Sequence, residues 1–74
     1  MYLNEGFKNR FYIVSKMHLD KKIKLKLNRM QLLEGSKIQI IQKNKPYPFL
    51  IECAYQRIAF SQKIAEKIEV IPCD

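Results

Sequence analysis

The sequence has few of the residues that build metal sites and disulfides. It contains two cysteines, Cys53 and Cys73, twenty positions apart, and one histidine, His18, between Met17 and Leu19. A metal site usually needs three or four His, Cys, Asp or Glu ligands in convergent spacing, and the sequence offers no such group. We therefore predict no bound metal. The cysteines are predicted to be a buried thiol at Cys53 and a free thiol at Cys73, with a disulfide between them as the alternative.

The patterns of an enzyme active site are also absent from the sequence. There are only two glycines, Gly6 and Gly35, and no phosphate-binding P-loop. No nucleophile has a partnering base, and no spaced pair of carboxylates falls on a predictable surface. We predict that the protein is not an enzyme and that it has neither catalytic residues nor a cofactor.

Long apolar segments are missing as well. No stretch approaches the roughly 18 apolar residues of a membrane span, and the first twenty residues lack the apolar core of a secretory signal. The 74 residues are 47% hydrophobic, and a chain of this size buries only about 60% of its unfolded surface. These properties predict one domain over residues 1–74, cytoplasmic and without membrane insertion.

Positive charge is plentiful and unevenly placed. Residues 8–45 hold eleven basic and two acidic side chains, a net charge of +9, whereas residues 46–74 hold three basic and four acidic ones, a net charge of −1. A positive field favours acidic protein surfaces, anionic membrane faces or nucleic acid. The alternative is a solvated lysine-rich face that keeps a small protein soluble.

The last third of the chain changes its hydrophobic period twice. Residues 49–54 and 57–60 read as strands of a hairpin with Tyr55 and Gln56 at its tip. Ser61 can cap a short helix within residues 61–67, and residues 68–71 read as a closing strand that ends at Pro72. We interpret this near-neutral last third as the part of the protein that builds the core. The basic part before it is interpreted as the part that carries the function.

The basic part begins and ends with predicted strands. Residues 10–16 alternate, so that Phe11 and Ile13 face one way and Tyr12 and Val14 the other. Gly35 marks a turn within residues 34–36. Residues 37–43 form another predicted strand, which the two prolines within residues 44–48 interrupt because proline lacks a backbone donor.

The hydrophobic pattern of residues 21–33 fits both a strand and a helix. Ile23, Leu25 and Leu27 alternate with lysines as a half-buried strand would, whereas Ile23, Leu27 and Met30 follow the spacing of a helix. An N-cap at Asp20 and the good helix formers after it favour the helix. The fold class predicted for the whole chain is mainly β, a small β-barrel with short helices.

Four segments resemble those of a known family. Residues 27–38, which read Leu-Asn-Arg-Met-Gln-Leu-Leu-Glu-Gly-Ser-Lys-Ile, are similar to a Leu-x-x-Leu-Gly-x-x-x-Gly-x-x-hydrophobic element. Residues 48–51, 58–60 and 65–70 are similar to a closing hairpin, short helix and last strand. These are elements of the FeoA family, ferrous iron transport protein A, and the resemblance runs from about residue 3 to residue 70. It implies an SH3-like barrel of about five strands.

Two glycine positions of the family pattern carry other residues. Gln31 stands where the helix usually ends in glycine, and Tyr55 stands at a hairpin glycine, whereas Gly6 and Gly35 fit. A non-glycine residue in the left-handed conformation costs about 1–2 kcal/mol. We expect altered or strained turns at these two positions.

The resemblance implies a cytoplasmic accessory protein of ferrous iron transport. Such a protein binds FeoB, a membrane transporter with a cytoplasmic GTP-binding region, and influences its activity without chemistry of its own. We expect the contact to lie in the family's helix and its continuation. The expected partner-binding residues are Lys22, Lys24, Lys26, Arg29, Leu32 and Leu33, where apolar groups ringed by charge form a common contact pattern. For the two leucines, packing in the core is the alternative.

Three other interpretations compete with this one. A nucleic-acid-binding SH3-like module would use the basic N-terminal half, with Tyr2, Tyr12, Tyr47 and Tyr55 as stacking groups, although these tyrosines are spread over different elements. A repressor-type barrel is normally joined to a helix-turn-helix, and no such helix pair precedes this one. A stand-alone homo-oligomer could form through residues 70–72 as an edge strand.

Overall fold

The computed structural model describes residues 1–73. The elements in chain order are a 3₁₀ helix at Leu3–Glu5, strand β1 at Phe11–Met17, helix α1 at Lys21–Arg29, strands β2 at Lys37–Gln42, β3 at Phe49–Cys53 and β4 at Gln56–Phe60, helix α2 at Gln62–Ala65, and strand β5 at Ile68–Pro72. The predicted mainly β fold with short helices is confirmed. The initial 3₁₀ helix was not predicted.

The five strands form one antiparallel sheet in the order β4-β3-β2-β1-β5. The register shifts between Val14 and Lys16 and again between Ile40 and Gln42. Such irregularities bend a strand and increase its twist, so they help the sheet to curl around the core. β4 and β5 are left as the two edges of the sheet.

The core draws equally on both parts of the chain. Of the sixteen buried hydrophobic residues within residues 1–73, eight come from residues 1–45 and eight from residues 46–73. They are Leu3, Tyr12, Val14, Met17, Leu27, Leu32, Ile38 and Ile40, and then Phe49, Ile51, Cys53, Ile58, Phe60, Ala65, Ile68 and Val70. The interpretation of the last third as the part that builds the core is therefore wrong in part, because the basic part contributes as many buried residues to the same core.

Two turns differ from their predicted limits. The hairpin turn consists of Ala54 and Tyr55, with φ of 53° and 64°, one residue earlier than predicted. Positive φ at both central residues is the geometry of a two-residue type I′ turn. α1 ends at Arg29 rather than continuing to Leu33. Tyr55 and Gln31, whose φ is 67°, thus keep the left-handed conformation that glycine usually provides.

α1 spans the distance between the two edge strands. Just before it, the backbone N–H of His18 donates to the carbonyl of Lys67 beside the start of β5, at 2.8 Å. At its other end, Nε2 of Gln56 in β4 donates to the carbonyl of Met30 at 2.7 Å. None of the helices in residues 1–73 is long and apolar enough to cross a membrane.

Candidate partner-binding surface

α1 forms because its ends are capped and one of its sides is apolar. The side chain of Asp20 accepts a hydrogen bond from the N–H of Ile23 at 2.9 Å, which satisfies a donor that the first turn leaves free. Leu27 is buried, and Ile23 and Met30 pack partly against the core. This i, i+4, i+7 stripe confirms the helical reading of the segment and fixes which side faces outward.

The basic side chains of α1 differ in their surroundings. Lys22, Lys26 and Arg29 are exposed. Lys24 is half-buried, and its Nζ lies 3.6 Å from Oε2 of Glu34. An exposed ion pair of this kind contributes only about 0–1 kcal/mol, but it leaves Lys24 less available to a partner than the other three cations.

Only some of these charges are placed where they stabilise the helix. Lys21 and Lys22 stand in the first turn, where the helix dipole disfavours cations, and no acidic residue lies there. Lys22 and Lys26 are four residues apart, a spacing at which like charges repel. Only Lys26 and Arg29, in the last turn, complement the dipole.

The outer side of α1 also carries an exposed leucine that the sequence prediction missed. Leu25 is 47% exposed. It lies three residues after Lys22 and four before Arg29, so all three share a side of the helix. The signal was present, because a helix that buries Ile23 and Leu27 must turn Leu25 outward. We call Lys22, Leu25, Lys26 and Arg29 the α1 surface.

Leu32 and Leu33, which were both predicted to contact the partner, lie in different environments. Leu33 is 45% exposed, whereas Leu32 is fully buried, so the prediction that Leu32 touches a partner is wrong. Gln31 reverses the chain after α1, and the N–H groups of Leu32 and Gln31 donate back to the carbonyls of Leu27 and Asn28, at 3.1 and 2.9 Å. This is a Schellman motif, in which the residue after the left-handed one returns towards the helix. Leu32 therefore joins Leu27 in the core.

The tyrosines do not form one stacking surface. Tyr12 is buried, and its hydroxyl accepts from the N–H of Phe7 at 2.8 Å, so its predicted role as a stacking group is wrong. Tyr2 pairs with Glu69 of β5, Tyr47 lies in the β2–β3 loop, and Tyr55 lies at the hairpin turn. The three exposed rings are thus distributed over separate places.

The thiols and the histidine occupy separate sites. Both cysteines are free, and burial raises the pKa of the Cys53 thiol, which keeps it protonated. His18 Nε2 donates to Oε1 of Glu69 at 2.6 Å on the surface. Among residues 1–73, no group of three or more His, Cys, Asp or Glu side chains is placed to hold a metal ion.

Comparison with known proteins agrees with this architecture. The FeoA domain family matches residues 1–72. The solution structure of FeoA from Chlorobium tepidum is 20% identical, with a TM-score of 0.91, and the match covers 100% of this chain and 71% of that one. A crystal structure of an iron uptake regulatory protein (FeoA) is 25% identical, with a TM-score of 0.79, over 92% of this chain and 89% of that one.

A regulator has a similar domain. The apo form of the manganese-activated repressor ScaR is 24% identical, with a TM-score of 0.85, over 99% of this chain but only 35% of that one. No curated protein is significantly similar in sequence to this chain. The structural matches confirm the expected SH3-like fold, and the family match extends over nearly every residue. The chain belongs to the FeoA family of small proteins related to ferrous iron transport.

Proposed function

We propose that this protein is a cytoplasmic, single-domain accessory of ferrous iron transport, that it has no catalytic activity, and that it binds the cytoplasmic GTP-binding region of a FeoB-type transporter. Family membership supports the transport role. The α1 surface is the proposed contact, extended by Leu33 beyond the end of the helix.

The observation that carries this proposal is a basic surface with more positive charge than its own helix benefits from. Lys22 and Lys26 repel each other, and the first-turn lysines oppose the helix dipole. Leu25 stands among these cations with nearly half of its surface exposed. An exposed apolar group within a ring of like charge suits a partner surface that is acidic around an apolar centre.

The test reverses two charges on the α1 surface. Lys26→Glu with Arg29→Glu should weaken binding to the transporter's cytoplasmic region at least tenfold, measured by calorimetry in the presence of GTP and of GDP. Lys8→Glu with Arg10→Glu is the matched control, because it also replaces one exposed Lys and one exposed Arg, before β1 rather than on α1. We expect the control to weaken binding less than threefold.

Two results would contradict the proposal. Unchanged binding by the Lys26 and Arg29 variant would show that α1 is not the contact. Equal weakening by both double variants would show that only overall charge matters. Leu25→Ala adds a charge-neutral measurement, and it should weaken binding with little change in the dependence on salt, since salt screens charges and not apolar contacts.

A further inference from the structure

The two edges of the sheet are not equally covered. At the β5 edge, Tyr2 forms a bridge with Glu69, and the N–H of Val70 donates to the carbonyl of Met1 at 2.7 Å. The predicted edge at residues 70–72 is therefore partly occupied by the start of the chain. Within residues 1–73, no strand pairs with the outer side of β4.

The outer side of β4 presents main-chain groups to pair with. The two-residue turn makes Cys53 and Gln56 a hydrogen-bonded pair, and the pattern then alternates along the ladder. The main-chain groups of Arg57 and Ala59 consequently point away from β3. In the described part of the chain, no hydrogen bond from outside the hairpin reaches them.

A groove runs between this edge and α1. It has a volume of about 260 Å³, and its lining is apolar apart from one lysine: Ile23, Lys26, Leu27 and Met30 from α1, Ala59 and Phe60 from β4, and Ile64 from α2. Small-molecule pockets usually measure about 300–1,000 Å³. The groove is therefore better suited to one or two side chains of a peptide than to a cofactor.

Charge indicates what kind of segment fits this groove. Lys26 stands in its wall, and the exposed Lys63 is next to the lining residue Ile64 in sequence, whereas Arg57 on the edge strand has Glu52 3.6 Å from its Nε. Pairing β4 with β4 of a second copy would bring two Arg57 side chains together in a protein of net charge +7, and like charges on edge strands oppose such pairing. An acidic segment has the complementary charge.

We propose that the outer edge of β4 and the groove beside it bind an extended acidic and apolar peptide segment of a partner protein, which adds a strand to the sheet. The segment would exchange backbone hydrogen bonds with Arg57 and Ala59. Its alternate apolar side chains would enter the groove, and its carboxylates would lie near Lys26 and Lys63. This site shares Lys26 with the α1 surface but does not include Lys22, Leu25 or Arg29, because the groove borders the inner side of the helix.

The probe is a phage-displayed library of random 12-residue peptides, selected against the full chain. We expect selected peptides to be rich in Asp, Glu and aliphatic residues. On binding, they should shift the amide resonances of β4, α2 and the inner side of α1. Ala59→Arg should weaken them at least tenfold by fluorescence anisotropy, because its side chain fills the groove from an exposed position and leaves the core intact.

Ala54→Arg is the matched control, since Ala54 is also an exposed alanine, placed in the hairpin turn outside the groove. It adds the same charge and should change binding less than twofold. Methylating the backbone nitrogens of a selected peptide should abolish binding at alternate positions only, as strand addition requires.

The proposal is overturned if the library yields no binder, if the binders are basic, or if Ala59→Arg binds as the wild type does. Concentration-dependent dimers with shifted β4 resonances would instead assign the edge to a second copy. Arg29→Glu should leave peptide binding within twofold. Loss of transporter binding in that variant, with peptide binding intact, would separate this site from the proposed transporter contact.

Discussion

Helix α1 and the β3–β4 hairpin are similar in length and are held in opposite ways. In α1, one of nine residues is buried, Leu27. In the two hairpin strands, five of ten are buried, namely Phe49, Ile51, Cys53, Ile58 and Phe60. The hairpin is part of the core, whereas the helix touches it along one stripe. Residues on α1 are therefore free to be selected for contact with other molecules.

The helix and the hairpin also differ in their charge. α1 carries five basic residues and no acidic one, and its net charge opposes its own stability. The hairpin carries one charge of each sign, and Nε of Arg57 lies 3.6 Å from Oε1 of Glu52 across the strands. Uncompensated charge is thus concentrated on the loosely held element. This coincidence is what supports a binding role for α1.

The largest change in the free energy of unfolding is expected at a core residue of the hairpin, and it is compared with the change at a surface residue of the helix. Ile51→Ala should lower the free energy of unfolding by about 3 kcal/mol, because it leaves a cavity at a fully buried site. Leu25→Ala should change it by less than about 0.5 kcal/mol, as surface substitutions usually do. Urea denaturation of both variants gives these values directly. A loss at Leu25 comparable to that at Ile51 would contradict this difference, since the helix would then be as firmly held as the hairpin.

A smaller effect is expected at one left-handed residue in each region. Gln31→Gly after α1 and Tyr55→Gly in the hairpin turn should each stabilise the protein by about 0.5–1 kcal/mol. Glycine removes a left-handed cost of about 1–2 kcal/mol and loses part of this gain through the greater freedom of the unfolded chain. Thermal unfolding measures the change.

Gln31→Ala and Tyr55→Ala are the controls for the glycine variants. They truncate the same side chains but keep the strained backbone, so no gain is expected. A gain with alanine equal to that with glycine would mean that the side chain, not the backbone conformation, limits stability at that turn.

The sequence was sufficient for the elements and insufficient for their surfaces. Alternation predicted the strands, and Asp20 with the Ile23, Leu27 and Met30 stripe predicted the helix, because these signals are local. Leu32 and Leu33 look alike in sequence, and the Schellman reversal at Gln31 decides which one is buried. Leu25 could have been assigned to the surface once the helix was accepted, since a helix cannot bury Ile23, Leu25 and Leu27 on one side.

Features that need long-range pairing could not be predicted. The groove beside β4 exists because α1 crosses between two edge strands, and it brings together residues as distant as Ile23 and Ile64. The cover on the β5 edge depends on a bridge from Tyr2 to Glu69. Neither arrangement leaves a local pattern in the sequence, so the free edge became apparent only from the order of the strands.

The smallest expected effect concerns how acid acts on the two regions. The hydrogen bond from His18, just before α1, holds the pKa of Glu69 below its usual range. Because the folded pKa is lower than the unfolded one, this contribution to stability is fully present above the unfolded pKa and is lost as the pH falls through the folded pKa. Acid should therefore weaken the attachment of α1 to β5 before it affects the hairpin.

Hydrogen exchange of individual amides, corrected for its intrinsic dependence on pH, measures this local effect. As the pH falls through and below the usual glutamate range, protection should drop around His18 and α1 while the amides of Ile51 and Ile58 keep theirs. Glu69→Gln should flatten the response at α1, because glutamine does not titrate in this range. If protection at the hairpin fell in parallel, the helix and the hairpin would open as one unit, and the contrast between a loosely held helix and a firmly held hairpin would be wrong.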